Sequence, residues 1–182
     1  MSNRGFSSRT RARKRAIDTI FEADQRGRAD SAAGIDQMLT ERKKITAAQT
    51  PLPEYAIEIV AGVRDHLNEI DSLLETHTTG RSFYRLPAVD RAILRVATWE
   101  IIWNESVPDI TAIDEAVRIS RNISTDESPA IVNAILDAVR RDSRNVLEAD
   151  AAIEAAFADD EIFAEDFIDL DDVLSEYETP DN

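Results

Sequence analysis

The chain has 182 residues, of which 31% are charged and 6% aromatic, with five glycines and six prolines. This length fits a single domain and excludes a multidomain enzyme, while the composition is typical of a helical protein. The absence of cysteine excludes disulfides, thiolate zinc sites and cysteine nucleophiles, and the net charge of −15, taken alone, argues against a nucleic-acid partner.

The charge is divided unevenly along the chain. Residues 1–15 carry six basic side chains and no acid, residues 16–147 carry 15 basic and 22 acidic ones, and residues 148–182 carry 14 acidic and no basic ones. The N-terminal arm therefore suits an anionic partner, and most of the acidic excess is a tail. No apolar run is long enough for a membrane span or a signal peptide, so we expect a cytoplasmic protein without a membrane partner.

The first predicted element is an amphipathic helix from Arg9 to about Gly27, with apolar residues every three or four positions. Its polar face carries the sequence RTRARKR, residues 9–15. Guanidinium groups bind phosphate through paired hydrogen bonds and stack on bases, so an arginine cluster favours RNA. Cations at a helix N-terminus also oppose the helix dipole, which argues for a partner. The alternative is an ordinary basic end that only aids solubility.

The middle of the chain is predicted to form two further helices. A weak helical pattern over residues 35–42 is followed by Pro51 and Pro53, which indicate a long connection. A cleaner pattern predicts one helix over residues 54–77. Gly62 lies inside this helix, where glycine is unfavourable, and we therefore expect close packing against the backbone of another segment there.

The remaining predicted helices complete the core. Residues 86–104 are apolar on nearly every side, which is typical of a central helix. A short helix is predicted over residues 111–121. Ser128 and Pro129 indicate the start of a last helix, capped by the serine and running to about Asp142. The predicted fold is all-α, a compact bundle of about five to seven helices.

The composition predicts three parts: a flexible N-terminus (1–8), a helical domain (9–147) that begins with the arginine cluster, and an acidic tail (148–182). The charge density of the tail predicts a disordered or weakly helical segment. One hypothesis is that the tail folds back onto residues 9–15 and competes with RNA, because tethering gives a high effective concentration. The alternative is a solvated tail without a binding role.

No constellation of catalytic residues is present in the sequence. His66 and His77 are eleven residues apart, which is not the spacing of a helical metal site. The five glycines form no phosphate-binding loop, and no serine has the surroundings of a nucleophile. The sequence therefore predicts a protein that is not an enzyme and has neither a cofactor nor a metal.

Four segments together resemble a known family. They are RTRARKRAIDTIF from Arg9, LPAVDRAILRVATWEII from Leu86, TAIDEAVRIS from Thr111 and SPAIVNAILD from Ser128. Their order and spacing over about residues 9–142 are similar to those of NusB, a family of bacterial transcription antitermination factors. The resemblance implies recognition of boxA-like single-stranded RNA in nascent ribosomal RNA transcripts. It also implies the ribosomal protein NusE, other Nus factors and RNA polymerase as partners, and leaves monomer and homodimer open.

The resemblance further implies a set of RNA-binding residues. They are Arg9, Arg11, Arg13, Lys14, Arg15, Phe21, Asp90, Arg95, Arg121, Glu127, Ile131 and Asn133. For Asp90, Arg95 and Asn133 the alternative is a capping or buried-pair role. Thr10 interrupts the arginine run, Ala134 replaces a family glycine, and Ile131 stands where the family often has phenylalanine. Losing that ring removes a stacking platform worth about 1 to 3 kcal/mol per base.

Two other functions are compatible with the same residues. One is a helical protein-interaction scaffold of the transcription machinery with a weakened RNA surface, which the missing aromatic favours and the acid-free N-terminal arm disfavours. The other is the RNA-recruiting module of an RNA cytosine methyltransferase. This second alternative is disfavoured because no residues remain for a cofactor-binding α/β domain.

Overall fold

A computed structural model describes residues 7–44 and 50–158 of the chain. In these ranges it contains seven α-helices, one 3-10 turn and no strand, which confirms the predicted all-α class. The α-helices are α1 (Ser8–Gln25), α2 (Ala32–Lys44), α3 (Glu54–Asp65), α4 (Leu67–His77), α5 (Ala88–Trp103), α6 (Asp109–Ile123) and α7 (Ser128–Ala158), and the 3-10 turn is Phe83–Arg85.

The core is built around α5. This helix packs against α1, α3, α4 and α6, and ten consecutive residues, 92–101, are all buried. A helix that is apolar on nearly every side has no face to present to solvent, and the sequence prediction of a central helix is confirmed. The first turns of α7 add Val132, Leu136 and Val139 to the same core.

Gly62 on α3 lies against the indole ring of Trp99 on α5. A Cβ atom at this position would collide with the ring, so the expected close approach is confirmed. The approaching group is a side chain, whereas the sequence pattern suggested another backbone. Glycine here lets the tryptophan ring approach α3 closely, and this packing compensates for the low helix propensity of glycine.

The region predicted as one helix, residues 54–77, is two. His66 separates α3 from α4 with backbone angles of φ −114° and ψ 20°, and its ring stacks on Trp103 with the centroids 4.1 Å apart. The apolar seam nevertheless continues across the break through the buried Val63, Leu67 and Ile70. A one-residue break leaves the spacing of buried residues nearly unchanged, and periodicity alone did not detect it.

The last helix is longer than predicted. It was expected to end near Asp142 but continues to Ala158. Alanines at 149, 151 and 152 favour this continuation, because alanine has the highest helix propensity. The described residues divide into two compact units at the junction of Ser143 and Arg144, and the candidate site lies in the first. The tail hypothesis concerns residues 148–182, of which 159–182 lie outside the described ranges.

Candidate nucleic-acid interface

The first turn of α1 presents arginines to solvent. Ser7 caps the helix, since its hydroxyl accepts a hydrogen bond of 3.1 Å from the backbone amide of Thr10. Thr10 is therefore a buried capping partner, which explains the interruption of the arginine run. Arg9 and Arg11 are exposed, and the first turn contains no acidic residue. This end of the helix combines the positive end of the helix dipole with cationic side chains, an arrangement that favours an anionic ligand.

Arg13 is buried, unlike its neighbours in the motif. Its Nε atom donates to both carboxylate oxygens of Glu100 at 2.9 Å, and its Nη1 atom lies 3.6 Å from a carboxylate oxygen of Glu115. Burial opposes the charge of Arg13, but the hydrogen bond and charge of Glu100 outweigh it and raise the pKa of the guanidinium. Arg13 therefore joins α1 to the core through an internal ion pair.

The remaining cations of the motif are half-buried and have neighbours. The Nζ atom of Lys14 lies 2.8 Å from a carboxylate oxygen of Asp18, one turn further along α1. Arg15 donates through Nη2 to the backbone oxygen and the hydroxyl of Thr50, each at 3.2 Å. Such surface contacts contribute little stability, so a phosphate group can replace them at small cost.

Phe21 lies two turns beyond the cationic segment. Its ring is half-buried and packs against the main hydrophobic core. Phe21 therefore keeps some exposure to solvent, while its contacts with the core anchor this part of α1.

Asp90 is fully buried at the start of α5. Its two carboxylate oxygens accept hydrogen bonds of 2.6 Å from the Ser124 hydroxyl and 2.7 Å from the Ser128 hydroxyl. Ser128 was predicted to cap α7, but its hydroxyl contacts Asp90, Ser124 and Thr125 instead of a backbone amide. Asp90 thus anchors the loop between α6 and α7 to the start of α5.

Arg95, the other polar residue of the predicted set on α5, is also buried. It donates from Nε and Nη2 to the two carboxylate oxygens of Asp71, both at 2.7 Å, and its Cζ atom lies 5.5 Å from the centre of the Phe83 ring. Burial opposes its charge, but the hydrogen bonds and charge of Asp71 prevail and raise the pKa of Arg95. For Arg95 and Asp90 the structure agrees with the alternative of a buried polar role.

Of the last predicted residues, Arg121 and Asn133 line a cleft between α6 and α7, whereas Glu127 and Ile131 do not. The cleft has a volume of about 460 Å³ and is lined in part by Arg121, Asp126 and Asn133. Arg121, Glu127 and Asn133 are exposed, whereas Ile131 is half-buried and packs against the core. Among the described residues Arg121 has no hydrogen-bond or ion-pair partner. The cleft therefore offers one cation, one carboxylate and one amide to a polar ligand.

The cationic end of α1 and this cleft lie near opposite ends of α5. Arg13 pairs with Glu100 near the C-terminal end of α5, while Asp24 near the end of α1 pairs with Arg91 near the start of α5 at 2.6 Å, so the two helices are antiparallel. Ten residues from Asp90 to Glu100 correspond to about 15 Å along the axis. A single ligand that contacts both places must therefore be an extended chain of several units.

Two residues that support this surface were missed by the sequence reasoning. Tyr55 on α3 lies beside Arg9 and Arg13, and its hydroxyl donates to Glu100. No local signal identifies either residue, because Glu100 is 87 positions from Arg13 along the chain. A carboxylate on a helix that is apolar on nearly every side was the available hint, since such a group requires a buried partner.

The described residues also show what the surface lacks. They contain no group of three histidine, aspartate or glutamate side chains arranged to hold a metal ion. A second, larger cleft of about 760 Å³ is lined by three acids, Asp30, Asp71 and Glu75, which repel phosphate. No helix in the described ranges is both long enough and apolar enough to cross a bilayer.

Comparison with protein families gives a match to the model of the NusB family over residues 10–141. The transcription antitermination protein NusB of Bifidobacterium animalis subsp. lactis is 48% identical over 132 residues, which cover 72% of this chain and 82% of that protein. The NusB protein of Beutenbergia cavernae is 45% identical over 139 residues, or 75% of this chain and 91% of the relative.

The chain is also similar to solved structures of NusB proteins. The structure of NusB from T. maritima is 28% identical with a TM-score of 0.59 and covers 74% of this chain and 92% of that one. A crystal structure described as the antitermination factors NusB and NusE in complex with dsRNA is 26% identical with a TM-score of 0.56, covering 74% of this chain and 98% of that one.

Proposed function

The chain belongs to the NusB family, and from this premise we propose that it binds boxA-like single-stranded RNA in nascent ribosomal RNA transcripts and acts in transcription antitermination. Its proposed partners are a ribosomal protein of the NusE type, with which a solved NusB is described in complex, and the other Nus factors with RNA polymerase. In this role the protein binds RNA and is not an enzyme.

The observation that carries the proposal is the exposed cationic turn of α1. Arg9 and Arg11 extend into solvent from a helix N-terminus without an acid in its first turn, although the chain as a whole is strongly acidic. Guanidinium groups placed there bind phosphate through paired, charge-assisted hydrogen bonds. Cations at this position oppose the helix dipole, and an anionic ligand would offset that unfavourable interaction.

We assign the twelve residues of the predicted surface to two roles. Direct contacts with RNA come from the exposed or half-exposed side chains, Arg9, Arg11, Lys14, Arg15, Phe21, Arg121, Glu127, Ile131 and Asn133. Arg13, Asp90 and Arg95 are buried and support this surface from inside. Phosphate contacts then position the strand along α1, and the cleft between α6 and α7 reads base edges.

The domain proposal follows the same division. Residues 9–147 form the RNA-binding domain, preceded by a flexible arm over residues 1–8 and followed by an acidic tail over residues 148–182. The family match over residues 10–141 supports the core of this domain and leaves the tail outside.

The proposal is tested by fluorescence anisotropy with a labelled boxA-containing oligonucleotide, a scrambled oligonucleotide and a duplex of the boxA sequence. Replacing Arg9 and Arg11 by alanine is expected to weaken binding of the single strand at least about tenfold. The matched control replaces Arg81 and Arg85, two other exposed arginines, and is expected to leave affinity within about twofold.

Three results would contradict the proposal: equal affinity for the boxA and scrambled strands, equal losses in the two double variants, or preferential binding of the duplex. Binding of the duplex is measured separately because the solved NusB–NusE complex is described with dsRNA.

A second candidate function is a protein-interaction scaffold of the transcription machinery with a weakened RNA surface. It is favoured by the burial of Arg13, Asp90 and Arg95, which leaves fewer polar groups for RNA than the sequence implied. Capture of a purified NusE-type protein by the unmodified chain, with ribonuclease present and with no boxA affinity in the anisotropy assay, would favour this function over the first.

A further inference from the structure

Tyr55 on α3 faces the first two turns of α1. The Cζ atoms of Arg9 and Arg13 lie 5.1 and 5.7 Å from the centre of its ring. These arginines are one helical turn apart, so one aromatic ring faces both of them. Both distances are within the range of cation–π attraction, which holds a guanidinium against a ring face.

The ring itself is held from its far end. The Tyr55 hydroxyl donates to a carboxylate oxygen of Glu100, and the side-chain amide of Asn104 donates to the hydroxyl at 3.3 Å. Glu100 is buried, with 1% of its surface exposed. A tyrosine whose hydroxyl is tied to a buried carboxylate cannot turn away from α1 without breaking that bond.

The two arginines over the ring differ in whether a carboxylate pairs with them. Arg13 is paired with Glu100, whereas Arg9 is exposed and has no carboxylate within ion-pair distance among the described residues. The ring attracts the cation through its quadrupole but carries no charge that would neutralise it. Arg9 is therefore oriented and still fully cationic.

We infer that Tyr55 is a positioning residue of the RNA interface, whose ring holds the Arg9 guanidinium in the orientation in which it binds a phosphate group of the RNA. The inference rests on the proposed RNA binding and assigns Tyr55 a role that operates through Arg9. A free arginine must give up rotamer entropy when it binds, and an arginine already held by a ring gives up less.

The test is a double-mutant cycle on RNA affinity in the full chain, with the variants Tyr55→Leu, Arg9→Ala and the combination. Tyr55→Leu is expected to weaken binding of a boxA-containing single strand by about three- to tenfold. In the Arg9→Ala background the same change is expected to have almost no further effect, because the side chain that Tyr55 positions is absent. Tyr55→Phe retains the ring but loses the hydrogen bond to Glu100 that holds it, so its affinity is expected to lie between those of the unmodified chain and Tyr55→Leu.

A matched control is Tyr84→Leu. Tyr84 also donates its hydroxyl to a carboxylate, that of Asp71, but no described arginine lies over its ring. Tyr84→Leu is expected to change RNA affinity by the same factor in the unmodified chain and in the Arg9→Ala background. Thermal unfolding of each variant shows whether a change in affinity follows from a loss of folded protein.

An independent readout needs no RNA. The side-chain protons of Arg9 in the free protein are expected to show an upfield ring-current shift in NMR spectra, and Tyr55→Leu should abolish it. Absence of that shift overturns the inference. Equal losses for Tyr55→Leu in both backgrounds also overturn it, although RNA binding stands. Failure of the unmodified chain to bind boxA RNA contradicts the proposed function itself, and the positioning role fails with it.

Discussion

The buried carboxylate of Asp90 accepts a 2.7 Å hydrogen bond from the hydroxyl of Ser128. This bond joins the first turn of α5, the central helix, to the first turn of α7, and a second bond from Ser124 joins it to the end of α6. The loop that carries Glu127 and borders the α6–α7 cleft is therefore fastened to the most deeply buried element of the fold. Stability and the shape of the candidate interface depend on the same carboxylate.

Replacing Asp90 by alanine is expected to lower the free energy of unfolding by about 1 to 3 kcal/mol, because the buried hydroxyl of Ser128 and the half-buried hydroxyl of Ser124 lose their acceptor. Urea unfolding followed by circular dichroism measures the change. Asp114→Ala, which removes an exposed carboxylate of α6, should stay within about 0.5 kcal/mol of the unmodified chain. Equal effects of the two substitutions would show that the Asp90 bonds do not stabilise the fold.

Breaking the Arg95–Asp71 pair is expected to lower the free energy of unfolding by more than the loss of Asp90 does. Asp71→Ala leaves the buried guanidinium of Arg95 without its bidentate acceptor, which costs about 3 to 5 kcal/mol when a buried pair is broken. Replacing both residues, Arg95 by methionine and Asp71 by leucine, should recover most of this loss in urea unfolding. Asp137→Ala breaks the more exposed contacts of Asp137 with Arg140 and Arg141 and should cost less than about 1 kcal/mol. A double variant as unstable as Asp71→Ala would contradict the explanation by an unpaired charge.

Sequence patterns predicted the helices well because apolar spacing reports burial directly. The central helix was expected over residues 86–104 and lies at Ala88–Trp103, and the next was expected over 111–121 and lies at Asp109–Ile123. Polar residues carry no such signal. Arg9 and Arg13 occupy one row of α1 and have the same chemistry, but the first is exposed and the second is paired with Glu100. Which arginine faces inward depends on a carboxylate 87 residues away, and no local pattern contains that information.

Tyr55 is expected to ionise later than an ordinary tyrosine. Burial, together with the hydrogen bond and charge of Glu100, raises the pKa of its phenol above the usual value of about 10. The unfolded chain then releases this proton at a lower pH than the folded chain. Ionisation of Tyr55 therefore leaves the free energy of unfolding unchanged below about pH 10 and lowers it as the pH rises above that value. Absorbance at alkaline pH should show a late-titrating tyrosine that Tyr55→Phe removes. If the tyrosine that titrates at the highest pH disappears in Tyr84→Phe and not in Tyr55→Phe, this assignment is wrong.

Binding of RNA should depend strongly on salt. If about four phosphates are neutralised on a single strand, the logarithm of affinity falls with the logarithm of salt concentration at a slope near −3. Arg9→Ala and Arg121→Ala should each reduce the magnitude of that slope by about 0.7, whereas Arg81→Ala should leave it unchanged. Anisotropy titrations at several salt concentrations measure the slopes. Unchanged slopes in the first two variants would show that neither arginine contacts a phosphate.

The acidic tail supplies the last prediction, because residues 159–182 hold 11 acids and no basic residue while residues 9–15 are the most basic part of the chain. A tail that competes with RNA predicts tighter boxA binding at low salt after truncation, since tethering gives a high effective concentration. Truncation after Ala158 keeps α7 whole, whereas truncation after Leu147 removes its last turns as well. A tail of full length with its 11 acids replaced by their amides separates charge from length. If charge competes, neutralisation and truncation tighten binding equally, and the gain disappears at high salt as the attraction is screened. Unchanged affinity in all three variants leaves a solvated tail without a role in RNA binding.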